Sequence, residues 1–290
     1  EGSKDLEVKY SGAADKTVIG IVFNGKDLVN NVNITAAGNE SKGFTNILAN
    51  GIGSFTNNGN ITTAEKNGFG IVASNKDLTS VINNGNIDVK ASVSVNEPNI
   101  GIYAVNDTTG IKNNKVINVG DNSIGIYGYN VELINGATIS GGSDSINIYS
   151  KGGDVTLSAG STMNVGKNEA TGVYVVGSGQ TVTFAGNMTI GNKGFGIINV
   201  NATGGNKINS TGILTSPMSN DSVFIYSKDT KGTITNSTSL TATGNENYGI
   251  YAAGTVTNSG NMDFSAGKGN VGIYSINDGT ATNTGHITVG

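Results

Sequence analysis

The sequence predicts an all-β fold, a right-handed parallel β-helix of about eleven coils of roughly 25 residues each. Three registers that recur in step along the chain predict it. The first is an aliphatic ladder at Ile21, Ile47, Ile71, Ile102, Ile126, Ile148, Val173, Ile197, Ile225, Ile250 and Ile273, with gaps of 22 to 31 residues. The second follows at Ile34, Ile61, Ile87, Ile117, Ile139, Met163, Met188, Ile213, Leu240, Met262 and Ile287. The third is an asparagine four positions before nine of the eleven second-ladder residues: Asn30, Asn57, Asn83, Asn113, Asn135, Asn209, Asn236, Asn258 and Asn283, with Ala159 and Phe184 as the interruptions.

Each element of the repeat has a local reason. The phrase Gly101-Ile102-Tyr103-Ala104-Val105-Asn106 returns as Gly125-Ile126-Tyr127-Gly128-Tyr129-Asn130, and in shorter form at 249–252 and 272–275. These runs are short, β-branched or aromatic, alternate with small or polar residues, and end at Gly or Asn, which makes them strands bounded by turns. No segment sustains a 3.6-residue period, so no helix is expected. Three strands and three turns fill a coil of about 25 residues, and stacking at about 4.8 Å per coil gives a rod on the order of 50 Å long. Leucine-rich repeats would show L-x-x-L-x-L, propeller blades need about 40 residues, and the coils of a left-handed hexapeptide helix are about 18. An antiparallel sandwich would not keep three registers in step.

The ladders assign inside and outside. An almost invariant Ile must be buried, and side chains alternate across a strand. Two positions on, the inward residue is mostly small: Ala49, Ala73, Ala104, Gly128, Ser150, Ser227 and Ala252. The residue after each Ile then faces solvent, and that row reads Val22, Leu48, Val72, Tyr103, Tyr127, Tyr149, Tyr174, Ile198, Tyr226, Tyr251 and Tyr274. Seven tyrosines in one outward row form a candidate partner-binding stripe, since Tyr offers wide contact area at low entropic cost. The plainer reading is that Tyr is a good strand former whose rings support the sheet. The Asn row is expected to stack in a turn, with amides bonding from coil to coil.

Composition removes other classes. The chain of 290 residues holds 45 Gly, 42 Asn and 31 Thr, and no Cys or Trp. Its charged fraction of 13% is about half of the usual quarter. All 17 basic residues are Lys and the net charge is -4, so the basic stripe that nucleic acid demands is missing. Thiol catalysis, thiolate metal sites and disulfides are excluded, and the single histidine, His286, excludes a multi-histidine centre. No apolar run is long enough for a transmembrane helix. No cofactor is implied.

Parallel β-helices also serve as polysaccharide lyases and hydrolases, which need an Arg base with acidic calcium ligands or a close acid pair. This chain has no Arg, and its Asp residues are scattered singly. Coils of about 24 residues allow two acids to stack, and the spacing of Asp107 and Asp121 allows approach across a coil boundary. Gly141-Gly142-Ser143-Asp144 resembles a calcium-binding nonapeptide only faintly and does not recur, and His286 takes a turn position filled elsewhere by Asn60, Asn86, Asn187 and Asn261. The expectation is therefore a protein that is not an enzyme.

The alternation of Gly-Ile-Tyr-Ala with Asn-x-Gly-x-Ile or Met, as at 249–252 and 258–262, resembles the repeats of large bacterial autotransporter (type V secretion) passengers, most of all the fusobacterial outer-membrane adhesins. The resemblance covers the whole chain. It implies a virulence-associated adhesin segment displayed from the outer membrane at the cell surface. Such a rod would attach to a receptor, protein or glycan, on host cells or other bacteria. The translocator barrel of that family is not in this sequence, and no family binding motif carries over. Residues 1–290 then read as a single β-helical repeat domain, a fragment of a longer passenger, with 1–19 (Leu6, Val8, Tyr10, Val18, Ile19) as a degenerate first coil. The rival to an adhesin or an enzyme is a spacer or tailspike-like rod without a ligand of its own.

Replacing Ile126 or Ile250 by Asp is expected to destabilise the rod by about 3–5 kcal/mol, because a charge is left unpaired in an apolar tube. Hydrogen exchange should show the loss concentrated in the coils on either side of the substitution.

Overall fold

The computed structural model describes residues 5–9, 17–37 and 43–290. They form a right-handed parallel β-helix in which strands pair with their equivalents in the coils before and after, continuously on the first and second faces and with one break on the third, between Leu214 and Leu240. A representative coil consists of β1 (Ile100–Ala104), β2 (Gly110–Asn113) and β3 (Val116–Val119), one strand on each of three faces. No helix occurs among the described residues.

The first face carries the first ladder without a slip. Ile21, Ile47, Ile71, Ile102, Ile126, Ile148, Val173, Ile197, Ile225, Ile250 and Ile273 are successive partners. From Ile47 to Ile250 their side chains are fully buried. The glycine before most of these residues turns toward the third face, where its neighbours leave no room for a Cβ. A Cβ on Gly101 would lie 2.6 Å from the carbonyl oxygen of Gly125 in the next coil. Asn46, Asn147 and Phe224 fill the equivalent position and are buried.

The second face contributes an inward column that the three sequence registers do not include. It consists of Leu28, Phe55, Val81, Ile111, Val131, Val155, Val182, Ile208, Ile234, Val256 and Ala281. Two residues further on, the inward position is the asparagine row. Asn30, Asn57 and Asn83 each donate from Nδ2 to the Oδ1 of the next asparagine, ending at Asn113, at 2.7, 2.8 and 2.7 Å. Asn236, Asn258 and Asn283 repeat the chain at 2.7 Å per step. Each amide also donates to a carbonyl two residues on, as Asn57 does to Gly59 at 2.8 Å. The row thus pairs its own polar atoms inside the tube, where an unpaired amide would cost about 1–3 kcal/mol.

Three positions depart from the sequence reading. Asn135 and Asn209 are outside the row: the partner of Asn113 is Leu133, and the partner of Asn236 is Ser210. Between the two Asn runs the row is filled by Leu133, Leu157, Phe184 and Ser210. The turn from Leu133 to the third-face Ile139 is two residues longer than that from Asn113 to Ile117, so counting back four from Ile139 lands on an exposed turn residue. Ile213 is the third correction. Met188 pairs with Leu214, which packs against the core, while Ile213 points outward at 60% exposure. The offset of four from Ser210 is kept, which moves that whole coil by one residue.

The third face otherwise follows the second ladder, from Ile34 through Met188 and again from Leu240 to Ile287. Below it, Asp5–Lys9 pairs in parallel with Asn33–Ala37 and places Leu6 beside Ile34. Tyr10 lies outside the described residues.

Two substitutions check the corrected register. Asn57→Ala leaves Asn30 and Asn83 without their coil-to-coil partner and is expected to cost about 2–4 kcal/mol. Asn135→Ala should stay within about 0.5 kcal/mol, as an exposed turn residue does. Chemical denaturation of both variants gives the comparison.

Candidate functional site

The outward row on the first face is where its parity places it. Tyr103, Tyr127, Tyr149, Tyr174, Ile198, Tyr226, Tyr251 and Tyr274 are consecutive register partners. Coil stacking sets the ring spacing. Tyr127 and Tyr149 stack 4.6 Å apart at 8°, Tyr149 and Tyr174 at 5.2 Å, and Tyr226 and Tyr251 at 5.2 Å. Tyr103 meets Tyr127 edge-on at 5.0 Å, and Tyr251 meets Tyr274 at 5.0 Å. Ile198 divides the row into a group of four rings and a group of three. All are half-buried by their neighbours except Tyr274, at 46% exposure.

A second column runs beside the first, three residues earlier on each strand. It reads Phe69, Ile100, Ile124, Ile146, Thr171, Phe195, Val223, Tyr248 and Val271. Ring contacts place it on the outer surface: Phe69 lies 6.0 Å from Tyr103, and Tyr248 lies 5.7 Å from Tyr251. Ile100, Ile124 and Val223 are little exposed, yet they stand apart from the interior cluster. Strict alternation hides this column, since the intervening Gly takes the inward corner and shifts the parity. The available signal was the apolar residue preceding each Gly-Ile-Tyr. Together the two columns make an amphipathic stripe wider than isolated exposed side chains leave.

The stripe has polar borders. Before the second column, a stacked turn carries Asn122, Asp144, Glu169, Lys193, Asp221 and Glu246, all at positive φ between 53 and 70°. Beyond the tyrosines, Lys151 and Lys228 are exposed. The Tyr127 and then the Tyr129 hydroxyls beside it hold the Lys151 ammonium above the usual lysine range. Desolvation by the stack raises the phenols of Tyr127 and Tyr149 above their ordinary value, against a smaller opposing effect of Lys151.

The structure does not bring the candidate acid pair together. Asp107 lies in the turn between the first and second faces, while Asp121 lies between the third and first. Asp121 Oδ1 accepts a 2.7 Å bond from the Ser143 backbone N–H, as a turn-forming residue does. Asp144 belongs to the turn column, and His286 donates its backbone N–H to Asn261 Oδ1 at 3.0 Å. Asp229, fully buried, accepts from the backbone N–H groups of Asn206 at 2.8 Å and Lys231 at 3.1 Å. Among the described residues no three His, Cys, Asp or Glu side chains gather as a metal site, and no helix is long and apolar enough to cross a membrane.

No protein-family model matches the chain, and neither the curated proteins nor the solved structures give a match.

The phenol shifts have a pH signature. A folded-state pKa raised above the ordinary 10.0 means that the neutral stack contributes fully below that pH and loses its contribution as pH rises through it. The melting temperature should hold steady toward pH 10 and fall beyond it, and Tyr127→Phe with Tyr149→Phe should reduce that fall. Ionisation of both phenols at their ordinary value, with no loss of stability, would overturn the assignment.

Proposed function

We propose that this chain is a segment of a bacterial surface adhesin: a non-enzymatic, autotransporter-passenger-like rod whose tyrosine stripe docks a partner during attachment to host cells or other bacteria. The stripe is the observation that carries the reading. A solenoid can bury its ladders without exposing aromatic rings, yet this one devotes a whole face to two apolar columns. Tyrosine presents a flat apolar ring with a polar tip, which suits both glycan and protein surfaces. The separation of Asp107 and Asp121 at different corners supports a binding role over the lyase or hydrolase alternative, which needs a close acid pair, and the carboxylates that do stack, Asp144 with Glu169 and Asp221 with Glu246, edge the stripe. Placement at the cell surface follows from the repeat resemblance and belongs to the same proposal.

The ring contacts also fit a plainer reading, a stack that only stabilises the sheet, and one experiment separates the two. Changing Tyr103, Tyr127 and Tyr149 together to Thr keeps strand propensity and removes the rings. Each lost contact should cost about 0.5–1.5 kcal/mol, so the rod should stay folded at 25 °C by circular dichroism. Adhesion of the purified fragment to glycan arrays and cell surfaces is expected to fall at least tenfold. Adhesion at the wild-type level would leave the tyrosines a structural role alone.

A further inference from the structure

Two strands of the first face share a pattern that neither ladder requires. Residues 144–151 read Asp-Ser-Ile-Asn-Ile-Tyr-Ser-Lys, and residues 221–228 read Asp-Ser-Val-Phe-Ile-Tyr-Ser-Lys. In both, the Asp is exposed at a left-handed turn, with φ 53 and 55°, and the Lys is exposed past the tyrosine. Register partners run from Ile148 through Val173 and Ile197 to Ile225, so the two strands lie three coils, or about 14 Å, apart. On each of these rungs the stripe has a carboxylate at one border and an ammonium at the other.

The acidic border is hollowed beside each Asp. A concavity of about 370 Å³ is lined by Ile146, Thr171, Tyr174, Phe195 and Ile198, with Asp144 and Glu169 beside them and Val95, from the turn before Ile100, forming a further wall. A second, of about 430 Å³, sets Asp221 and Glu246 over Val223 and Tyr248. Two carboxylates above an apolar floor suit a lysine, whose stem lies on carbon while its ammonium reaches oxygen. The same chain presents two such sockets and two such lysines at one spacing.

We infer that the occupants are Lys151 and Lys228 of a second copy of this chain, so that two rods lie face to face along the stripe, parallel and in register. The inference rests on the reading of the stripe as a docking face and names its partner. A two-fold axis along the rods exchanges the borders, so Asp144 of each copy meets Lys151 of the other, and Asp221 meets Lys228. Lys193, the one cation in the acidic column, then faces uncharged Val200 on its own rung. A two-fold axis across the rods makes them antiparallel and sets acidic border against acidic border, which is repulsive. Eight rungs from Tyr103 to Tyr274, about 20 Å wide from Asp to Lys, offer on the order of 700 Å² per copy, close to the roughly 800 Å² of a standard interface. Parallel pairing is the arrangement open to rods displayed from one surface, so the contact bundles neighbours side by side.

The test is sedimentation of the whole chain and two charge variants, each checked for an unchanged melting temperature. One variant carries Asp144→Lys and Asp221→Lys; the other carries Lys151→Asp and Lys228→Asp. Wild type should form dimers that weaken with salt. Each variant alone should be monomeric over the same range, and an equimolar mixture should dimerise again, since every contact between them is attractive. The chain lacks cysteine, so Tyr274→Cys supplies a unique thiol on the last rung. A short bismaleimide should link this variant to itself only in the parallel arrangement. Monomeric wild type, variants that dimerise like wild type, or a mixture that stays monomeric would each overturn the inference. A wild-type rod that stays monomeric yet adheres through its tyrosines would overturn the second-copy partner while leaving the docking face intact. Dimers that persist without adhesion would sustain the pairing and sink the adhesin reading.

Discussion

Parallel backbone pairing between successive coils is the constraint on which the other features of this protein depend. On the first and second faces every inner strand hydrogen-bonds along both edges, so its register is set twice, once by the coil before and once by the coil after. A residue is therefore placed less by its own turn of chain than by the rung it must match. Ile126 is buried because Ile102 and Ile148 are buried on either side of it. This lets a chain with only 36% hydrophobic residues fold, since each apolar side chain is covered by its equivalents above and below.

The same stacking organises polar groups. An asparagine inside an apolar tube is costly unless both ends of its amide are paired, and a column of asparagines supplies each with the partner that the next one needs. Such a column tolerates an interruption only where an apolar residue takes the place of the whole amide. Leu133, Leu157 and Phe184 do this, and Ser210 then resumes polarity by bonding Thr238 Oγ1 at 2.6 Å. What is repeated inside is repeated outside as well. One exposed tyrosine is a small feature, but eight rungs of the same outward position become a stripe, and a charge at one corner becomes a border. Even modest asymmetry between the two ends of a strand is thereby extended along the rod.

Separation of the acids follows from the closure of the coil. Asp107 and Asp121 are close in sequence but lie on opposite sides of the strands Gly110–Asn113 and Val116–Val119, at different corners. Asp144 and Asp221 are far apart in sequence yet share one border. The acids that do stack, Asp144 with Glu169 and Asp221 with Glu246, lie along the border of the face that carries the two apolar columns.

The β-helix, the first ladder and the tyrosine row are legible in the amino-acid sequence, because these positions keep a constant offset from one another within a single strand. Features that depend on the turns are not legible there. Asn135, Asn209 and Ile213 were misplaced because the turn between the second and third faces varies by two residues, and because one coil is shifted by one. The second apolar column escaped notice because Gly101 and its equivalents take an inward corner and break the period of two. That Asp144 and Lys151 border the same stripe as Asp221 and Lys228, three coils away, follows from the stacking of the coils. Sequence distance measures the path around a coil, whereas neighbourhood on this rod is set by hydrogen bonds between coils.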